Sequence, residues 1–472
     1  MKKGFTLVEL LAVIVILGII AVITTPVIRG IIDSARKDAF EDSVYGLIHA
    51  VELDKAERGF GVFQVYTIDS NAPEPIDPFI QVQGKVTGQG RIVLNEDGDI
   101  DVLIQFEDWC AYKPIETKEV VLYESPCIQN AETTNANRPF LHDDMIPVRY
   151  SGTNIVRADT RNPASAPWYN YGNKLWANAV IVSNPENYPE PGDVINPSDI
   201  IMELVWIPRF KYVVPSGSGY RSLDIEFIQG APYVGSPLLS SGYRVHPAFT
   251  FGNKDLRGFW ASKYQLTGSL SNLTVRNNQS PLTNQPLNVM FNAVNSLNQP
   301  GNHLGLSTGL FNVRLQSNVE WSAVAYLSQS EYGIDGAITR NTSATTGCTS
   351  TNCSTTGNIT GVYDTVGPVK DFVMTSFNDR TGGSGLMYFP DERYYDKYLS
   401  DDINSACNGR PCLGHALSET SGFYSGTNNF ITGARPFLTR GGNSSSGVTL
   451  SYDNSTGEGV ADEGFKLTIS RR

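Results

Sequence analysis

The sequence predicts an α+β protein: a long N-terminal helix on a small antiparallel sheet, then a larger mixed unit rich in loops. Three observations carry this expectation. An apolar run from Phe5 to Ile23, broken by one charge at Glu9, continues into the amphipathic stretch DSARKDAFEDSVYGLIHAVELDKAE. Past residue 55 the pattern changes to alternation of apolar and polar residues, the period of a half-buried strand. From residue 139 onward the chain is rich in aromatic, glycine and asparagine residues and shows no further long helical period.

The elements follow in order. Residues 5–55 read as one helix, with Pro26 and Gly30 marking a kink or local unwinding, because proline removes a backbone donor. In its second half Ala35, Ala39, Val44, Leu47, Ile48 and Val51 recur at helical spacing and form the stripe that faces a sheet. IQVQGKVTG, RIVLNED and DIDVLIQFED read as strands, with Asp97-Gly98 as a hairpin turn. The acidic cluster NEDGDID lacks the spacing of a calcium-binding loop and reads as a charged turn. WCAYKPIETKEVVLYESPC then forms a second hairpin. The sheet-bearing head spans residues 56–132. A polar stretch at 129–138 contains the linker at 133–138, and a distal unit covers 139–472.

Composition limits the function classes. The chain has 472 residues, 18% of them charged, and a formal net charge of -12. That balance, with no run of Lys or Arg, argues against a nucleic-acid surface, which needs clustered basic residues. The 6 cysteines form sequence-local couples, Cys110 with Cys127, Cys348 with Cys353, and Cys407 with Cys412. An even number fits disulfides outside the cytosol. The pairing rests on proximity alone, and buried free thiols are the alternative. CTSTNC and CNGRPC lack the CxxC spacing of zinc sites.

The N-terminus carries the most specific signal. A basic leader, Met1-Lys2-Lys3-Gly4, precedes the apolar run, which has the length needed to cross a bilayer, roughly 20 residues. Lys2 and Lys3 hold the N-terminus inside, so everything past the helix lies outside. A carboxylate such as Glu9 within a membrane-length segment is costly and therefore functional. A secretory peptide would end in a small-x-small cleavage site after a shorter apolar core, and cleavage here would split the helix. A plain anchor explains the apolar run but neither Gly4-Phe5 nor Glu9.

The stretch GFTLVELL resembles the class III signal of type IV pilins. The resemblance implies a leader of residues 1–4, cleavage between Gly4 and Phe5 by a prepilin peptidase, N-methylation of Phe5, and pairing of Glu9 with the terminal amine of a neighbouring subunit during filament assembly. The implied partners are other pilin subunits, the peptidase and methylase, and the inner assembly machinery. No sorting signal or second apolar span appears near the C-terminus, so the N-terminal helix is the expected single-pass attachment to the membrane before assembly, and the mature protein is expected on an extracellular pilus or the cell surface.

Several distal stretches resemble the formylglycine-generating-enzyme, or sulfatase-modifying-factor, branch of the C-type-lectin-like folds. VWIPRF at 205–210 resembles an opening strand, and GFWASKYQLT at 258–267 the strand ending in the family's K-E-V-T signal. RLQSNVEW at 314–321 resembles its RLPTEAEW helix, and GNITGVYD at 357–364 its NxYGLYDM turn, followed by Val369-Lys370-Asp371-Phe372. Thr439-Arg440-Gly441-Gly442 and Gly464-Phe465-Lys466-Leu467 resemble the closing RGG and GFR. The residues themselves read as packing and turn positions: Trp206, Trp260, Trp321 and Phe372 suit a core with few helices.

The resembled enzymes hold copper on a cysteine pair between the last two signatures. Here that interval, NSSSGVTLSYDNSTGEGVADE, has no cysteine or histidine, and serine does not replace a thiolate ligand. His49, His142, His246, His303 and His415 show no metal-binding spacing, and Ser418 and Ser421 lack a nucleophile-elbow context. No catalytic residue, metal or cofactor is therefore expected. Binding is the remaining expectation. Asn443, Ser445, Tyr452, Asp453 and Asn454 are candidate ligand contacts for a surface glycan or protein, and MYFPDERYYDKY at 387–398 adds aromatics beside charges. The chain reads as a minor or tip pilus subunit displaying a lectin-like module for adhesion. A major pilin, a pseudopilin of a secretion or uptake system, and a surface enzyme related to the formylglycine-generating enzymes are the rival readings.

Overall fold

The computed structural model describes residues 7–471 except 60–63, 96–97, 114–118, 125–126, 128–133, 135, 161–165, 216–221, 229–241, 307–309, 348–353, 424–427 and 443–449. Within helices, the side chains of residues 9, 18–23, 25–27, 29 and 422–423 also lie outside the description. The architecture is mixed, mostly strands with few helices. The chain divides into two compact units, Met1–Gln129 with Arg161–Ala164, and Asn130–Thr160 with Ser165–Arg472.

The first unit is built on helix α1, Leu7–Arg58, which is helical over 52 residues. The expected unwinding at Pro26 and Gly30 is absent from the backbone. A proline removes one donor, and helix-forming runs on both sides carry the backbone through it. The buried stripe starts later than the sequence predicts. Ala35 and Ala39 are exposed, while Phe40, Val44, Leu47, Ile48 and Val51 are buried, at the i, i+4, i+7, i+8 and i+11 positions of one face.

That face packs on a six-stranded antiparallel sheet in the order β2-β1-β3-β4-β5-β6. The strands are β1 (Gln64–Asp69), β2 (Ile76–Asp77), β3 (Gln89–Leu94), β4 (Ile100–Phe106), β5 (Trp109–Lys113) and β6 (Val121–Tyr123). Tyr66, Ile68, Ile92, Leu94, Ile100, Val102 and Ile104 alternate inward and close the core with the helix. Two strand expectations are corrected. QVYTID, which lies outside the strands predicted above, forms β1. IQVQGKVTG, residues 80–88, joins no ladder, and strand β3 begins only after it at Gln89: Gly84 and Gly88 adopt positive φ, and Ile80, Val82 and Val86 pack on the core from a loop instead.

The β3–β4 hairpin is also wider than a two-residue turn. Leu94 pairs with Ile100, leaving residues 95–99 as the loop. Asn95 and Asp99 close it: the Asp99 N–H donates to Asn95 Oδ1 at 2.8 Å, and the Asn95 N–H donates to the Asp99 carbonyl at 2.9 Å. Lys55 from the helix donates to the Gly98 carbonyl at 2.7 Å. Cys110 on β5 is disulfide-bonded to Cys127.

The second unit centres on a seven-stranded antiparallel sheet. Its strands β7 (Met145–Ser151), β8 (Asn154–Arg157), β9 (Asn178–Val182) and β10 (Ile200–Pro208) lie in the order β8-β7-β9-β10. The sheet continues through Gly258–Ser262 and the C-terminal strand Leu467–Arg471 to Phe311–Leu315. A four-stranded sheet joins Tyr452–Ser455, Phe437–Arg440, Lys370–Val373 and Glu463–Phe465, the last pair parallel. Trp206, Trp260, Trp321 and Phe372 are buried in one continuous core. Each indole N–H among them has a partner: Trp206 on the Asn137 carbonyl at 2.9 Å, Trp260 on that of Phe140 at 2.8 Å, and Trp321 on Asp371 Oδ2 at 3.1 Å. Asn137, placed by sequence in the linker, is thus buried within this unit, and Ala136 beside it is buried too.

Helix α2, Asn318–Ser328, is buried at every position. Its start is fixed by Glu320, whose Oε2 accepts the Ser317 N–H at 3.0 Å, one half of a capping box. A helix enclosed on all sides must satisfy its polar groups internally. Ser322 accordingly donates to the Gly414 carbonyl at 2.5 Å, and Asn318 donates to Tyr398 Oη and the His415 carbonyl, both at 2.9 Å.

Candidate functional site

The first candidate surface is the N-terminal part of α1. Before Phe40 its described apolar side chains find no cover in the first unit. Leu7 is 82% exposed and Val8 73%, and Leu10, Leu11, Ile14, Leu17, Ile28 and Ile31 are exposed as well. An apolar surface of this extent marks a region covered by lipid or by other protein. Among the described residues no helix is long and apolar enough to cross a membrane. The run marked by the sequence, Phe5–Ile23, includes residues 18–23, whose side chains lie outside the description. Gly4 and Phe5 are also outside it. Glu9 lies in α1, with its side chain undescribed.

Residues 1–25 match the prokaryotic N-terminal methylation motif. The chain carries a prepilin-type signal. The match takes in the leader, the Gly4-Phe5 junction, Glu9 and the apolar run. A prepilin signal implies processing by a prepilin peptidase, membrane insertion, and assembly with other pilin subunits on the cell surface. Comparison with curated proteins gave no match.

The second candidate surface is the group of distal loops. Asn443 and Ser445 lie outside the described residues. Tyr452, Asp453 and Asn454 fall on a strand paired with Phe437–Arg440. Tyr452 is buried, with the Arg440 guanidinium 5.6 Å from its ring centre. Asp453 accepts from Lys370 at 3.1 Å and from Asn429 at 3.0 Å, and these bonds hold its carboxyl below the usual range against the opposing effect of burial. Asn454 donates to the Phe430 carbonyl at 2.7 Å. All three side chains are thus engaged inside the unit. In the 387–398 segment Tyr395 and Tyr398 are buried, but Met387 is 85% and Tyr388 83% exposed.

Cys407 is disulfide-bonded to Cys412, so these sulfurs are not thiolate ligands, and Cys348 and Cys353 lie outside the described residues. The interval that would carry the copper-binding cysteines of the resembled enzymes has none, so this donor set does not fit copper. Among the described residues no group of acidic, histidine and cysteine side chains has metal-site geometry.

The buried titratable groups were not legible in the sequence. Asp371 accepts from Gln265 at 2.7 Å, and Lys466 Nζ lies 3.9 Å from it; burial raises its carboxyl to about 6. Asp364 accepts from Asn341 at 2.8 Å and is raised by burial to about 7. His246 is buried against Phe210, Tyr212 and Tyr326, and burial holds it neutral. His303 contacts the Leu273 carbonyl at 2.9 Å, whereas His415 bonds Tyr398 Oη through Nδ1 at 3.0 Å. Burial first, and then the Arg440 charge, lower His415 to about 3.

For His415 the unfolded chain takes up the proton before the folded one. Its contribution to stability is therefore present above the ordinary value of about 6.5 and is lost as pH falls toward about 3. Thermal melts of the wild type between pH 6.5 and 5 should fall more steeply than those of His415→Asn, by about 2 kcal/mol at pH 5. Parallel pH profiles would remove this coupling.

Proposed function

We propose that the protein is a minor or tip subunit of a type IV pilus whose distal unit is a non-catalytic lectin-like module for surface adhesion. The prepilin signal, joined to a helix whose described apolar side chains before Phe40 are left uncovered by its own unit, carries this reading. The order of the distal signatures between residues 205 and 467 favours the lectin-like assignment. The distal unit is large for a filament in which every subunit packs on its neighbours, which favours a sparse position. His246, Asp371, Asp364 and Lys466 are buried in the second unit, and the reading assigns them to its packing. The exposed pair Met387 and Tyr388 is the surface feature best suited to recognition, an apolar and aromatic contact beside charged residues.

Immunogold labelling should mark filament tips or isolated points, and labelling along the whole shaft would sink the minor-subunit reading. Pili carrying the protein should bind a glycan or a protein on an array that pili lacking it do not, and Tyr388→Ala should reduce that binding by about tenfold, about 1.4 kcal/mol. Equal binding by both kinds of pili would overturn the adhesion role. Retention of the protein in the envelope with no filament-bound pool would favour a pseudopilin.

A further inference from the structure

The seven-stranded sheet holds a lysine and an asparagine in contact across an intervening strand. Lys263 directly follows Gly258–Ser262, and its N–H donates to the Glu203 carbonyl on β10 at 3.0 Å. Asn178 starts β9 on the other side of β10, where it pairs with Val205. Strand alternation puts Glu203 and Val205 on one face, so Lys263, Glu203 and Asn178 share that face. All three are buried. Lys263 Nζ lies 2.7 Å from Asn178 Oδ1, 2.7 Å from Tyr150 Oη and 2.8 Å from the Ile359 carbonyl. Tyr150 Oη in turn donates to Glu203 Oε2 at 3.2 Å. The Asn178 amide nitrogen donates to the Trp176 carbonyl at 2.9 Å and to the Thr360 carbonyl at 2.6 Å.

We propose that Lys263 and Asn178 join in an intramolecular isopeptide bond once the second unit has folded, with Tyr150 and Glu203 as the proton relay. The Lys263 ammonium passes a proton to Tyr150 Oη as Tyr150 gives its own to Glu203. The neutral amine forms a bond from Nζ to Asn178 Cγ. The resulting tetrahedral carbon breaks its bond to Nδ2, which takes the second proton from Nζ and leaves as ammonia. Glu203 returns its proton to the departing ammonia, so lysine ammonium and asparagine amide become one amide and one ammonium ion, with no oxidant or cofactor. The Trp176 and Thr360 carbonyls hold the leaving nitrogen in place before it departs. Burial favours the neutral partners on both sides: it lowers Lys263 to about 7 and raises Glu203. Contact distance and exclusion of water supply the proximity that such a step needs.

The bond would tie β9 to the far side of β10 and fix three strands of a displayed module covalently. The test is peptide mapping by mass spectrometry of the full-length folded protein, digested after reduction. The expected product is a branched peptide containing Lys263 and Asn178, lighter than the sum of its two arms by one ammonia, with no tryptic cut at Lys263. Lys263→Arg and Asn178→Ala should yield only linear peptides. Glu203→Gln, the milder change, should slow bond formation by about a hundredfold. Recovery of both segments as linear peptides from folded wild type, with a free amine on Lys263, would overturn the bond. An undiminished branched product from Glu203→Gln would overturn the relay.

Discussion

Replacing Glu9 by alanine leaves the leader cleaved at Gly4-Phe5 and the chain membrane-bound, but removes it from the filament. A carboxylate within the apolar segment costs about 2.5–3.5 kcal/mol at the centre of a bilayer and persists only where something offsets that cost. In the resembled pilins the offset is the terminal amine of a neighbouring subunit, and the resemblance implies the amine of Phe5 for that role. Alanine would make membrane residence more favourable and strand that amine without a partner. A contact worth about 2 kcal/mol corresponds to roughly a thirtyfold change in the partition between membrane and filament. Immunoblots of sheared filaments and membranes would measure it, with cleavage read from gel mobility. A sheared pool equal to wild type would sink the pairing role, whereas a retained leader would move the effect to processing. Bulky replacements at Gly4 provide the complementary control, because they should block cleavage and give a larger form.

The second large effect belongs to Glu320→Ala, which should destabilise the second unit by about 3–5 kcal/mol. Glu320 Oε1 accepts from Arg314 Nε at 2.7 Å, and the two side chains are 4% and 3% exposed. Arg314 also donates to Ser470 Oγ at 2.7 Å and lies 4.1 Å from the centre of the Phe251 ring. Removing the carboxylate leaves a buried guanidinium without its counter-charge, and it takes away the acceptor of the Ser317 N–H at the start of α2, worth about a further 1 kcal/mol. Glu320→Gln keeps an acceptor in that position and should lose less. Denaturant unfolding of the purified protein reads both variants. A loss below about 1 kcal/mol for alanine would show that the pair contributes little beyond its geometry.

The sequence was most legible where its signals are short in range. Helical spacing placed Val44, Leu47, Ile48 and Val51 on the buried face of α1, because a helix fixes which residues share a side. Ala35 and Ala39 obey the same period yet are exposed, since period cannot say where the covering sheet ends. Alternation was a weaker guide. QVYTID and IQVQGKVTG both alternate, but only the first pairs; the positive φ of Gly88 departs from the extended ladder, and a Cβ there would lie 2.6 Å from the Gln105 carbonyl oxygen. At the candidate ligand residues, type and position were readable but engagement was not. Tyr452, Asp453 and Asn454 look like a recognition loop in sequence, but they lie on a strand paired with Phe437–Arg440, where Tyr452 is buried near Arg440 and the half-buried Asp453 and Asn454 bond to Lys370 and to the Phe430 carbonyl.

The amino-acid sequence by itself determined the prepilin signal, the long helix and the α+β character, and proximity along the chain pointed to the couples Cys110–Cys127 and Cys407–Cys412, which the structure joins. Each of these depends on residues close in the chain, where spacing alone fixes geometry. Only the tertiary structure decided which charges are buried and what they touch. Lys263, Asn178, Glu203 and Tyr150 are far apart in sequence, and lysine and glutamate are ordinarily solvated. Their meeting follows from the order β7-β9-β10 and Gly258–Ser262 in one sheet, a neighbour relation that no local pattern encodes. Desolvation and contact inside that sheet then give the four side chains a chemistry that none of them has in water.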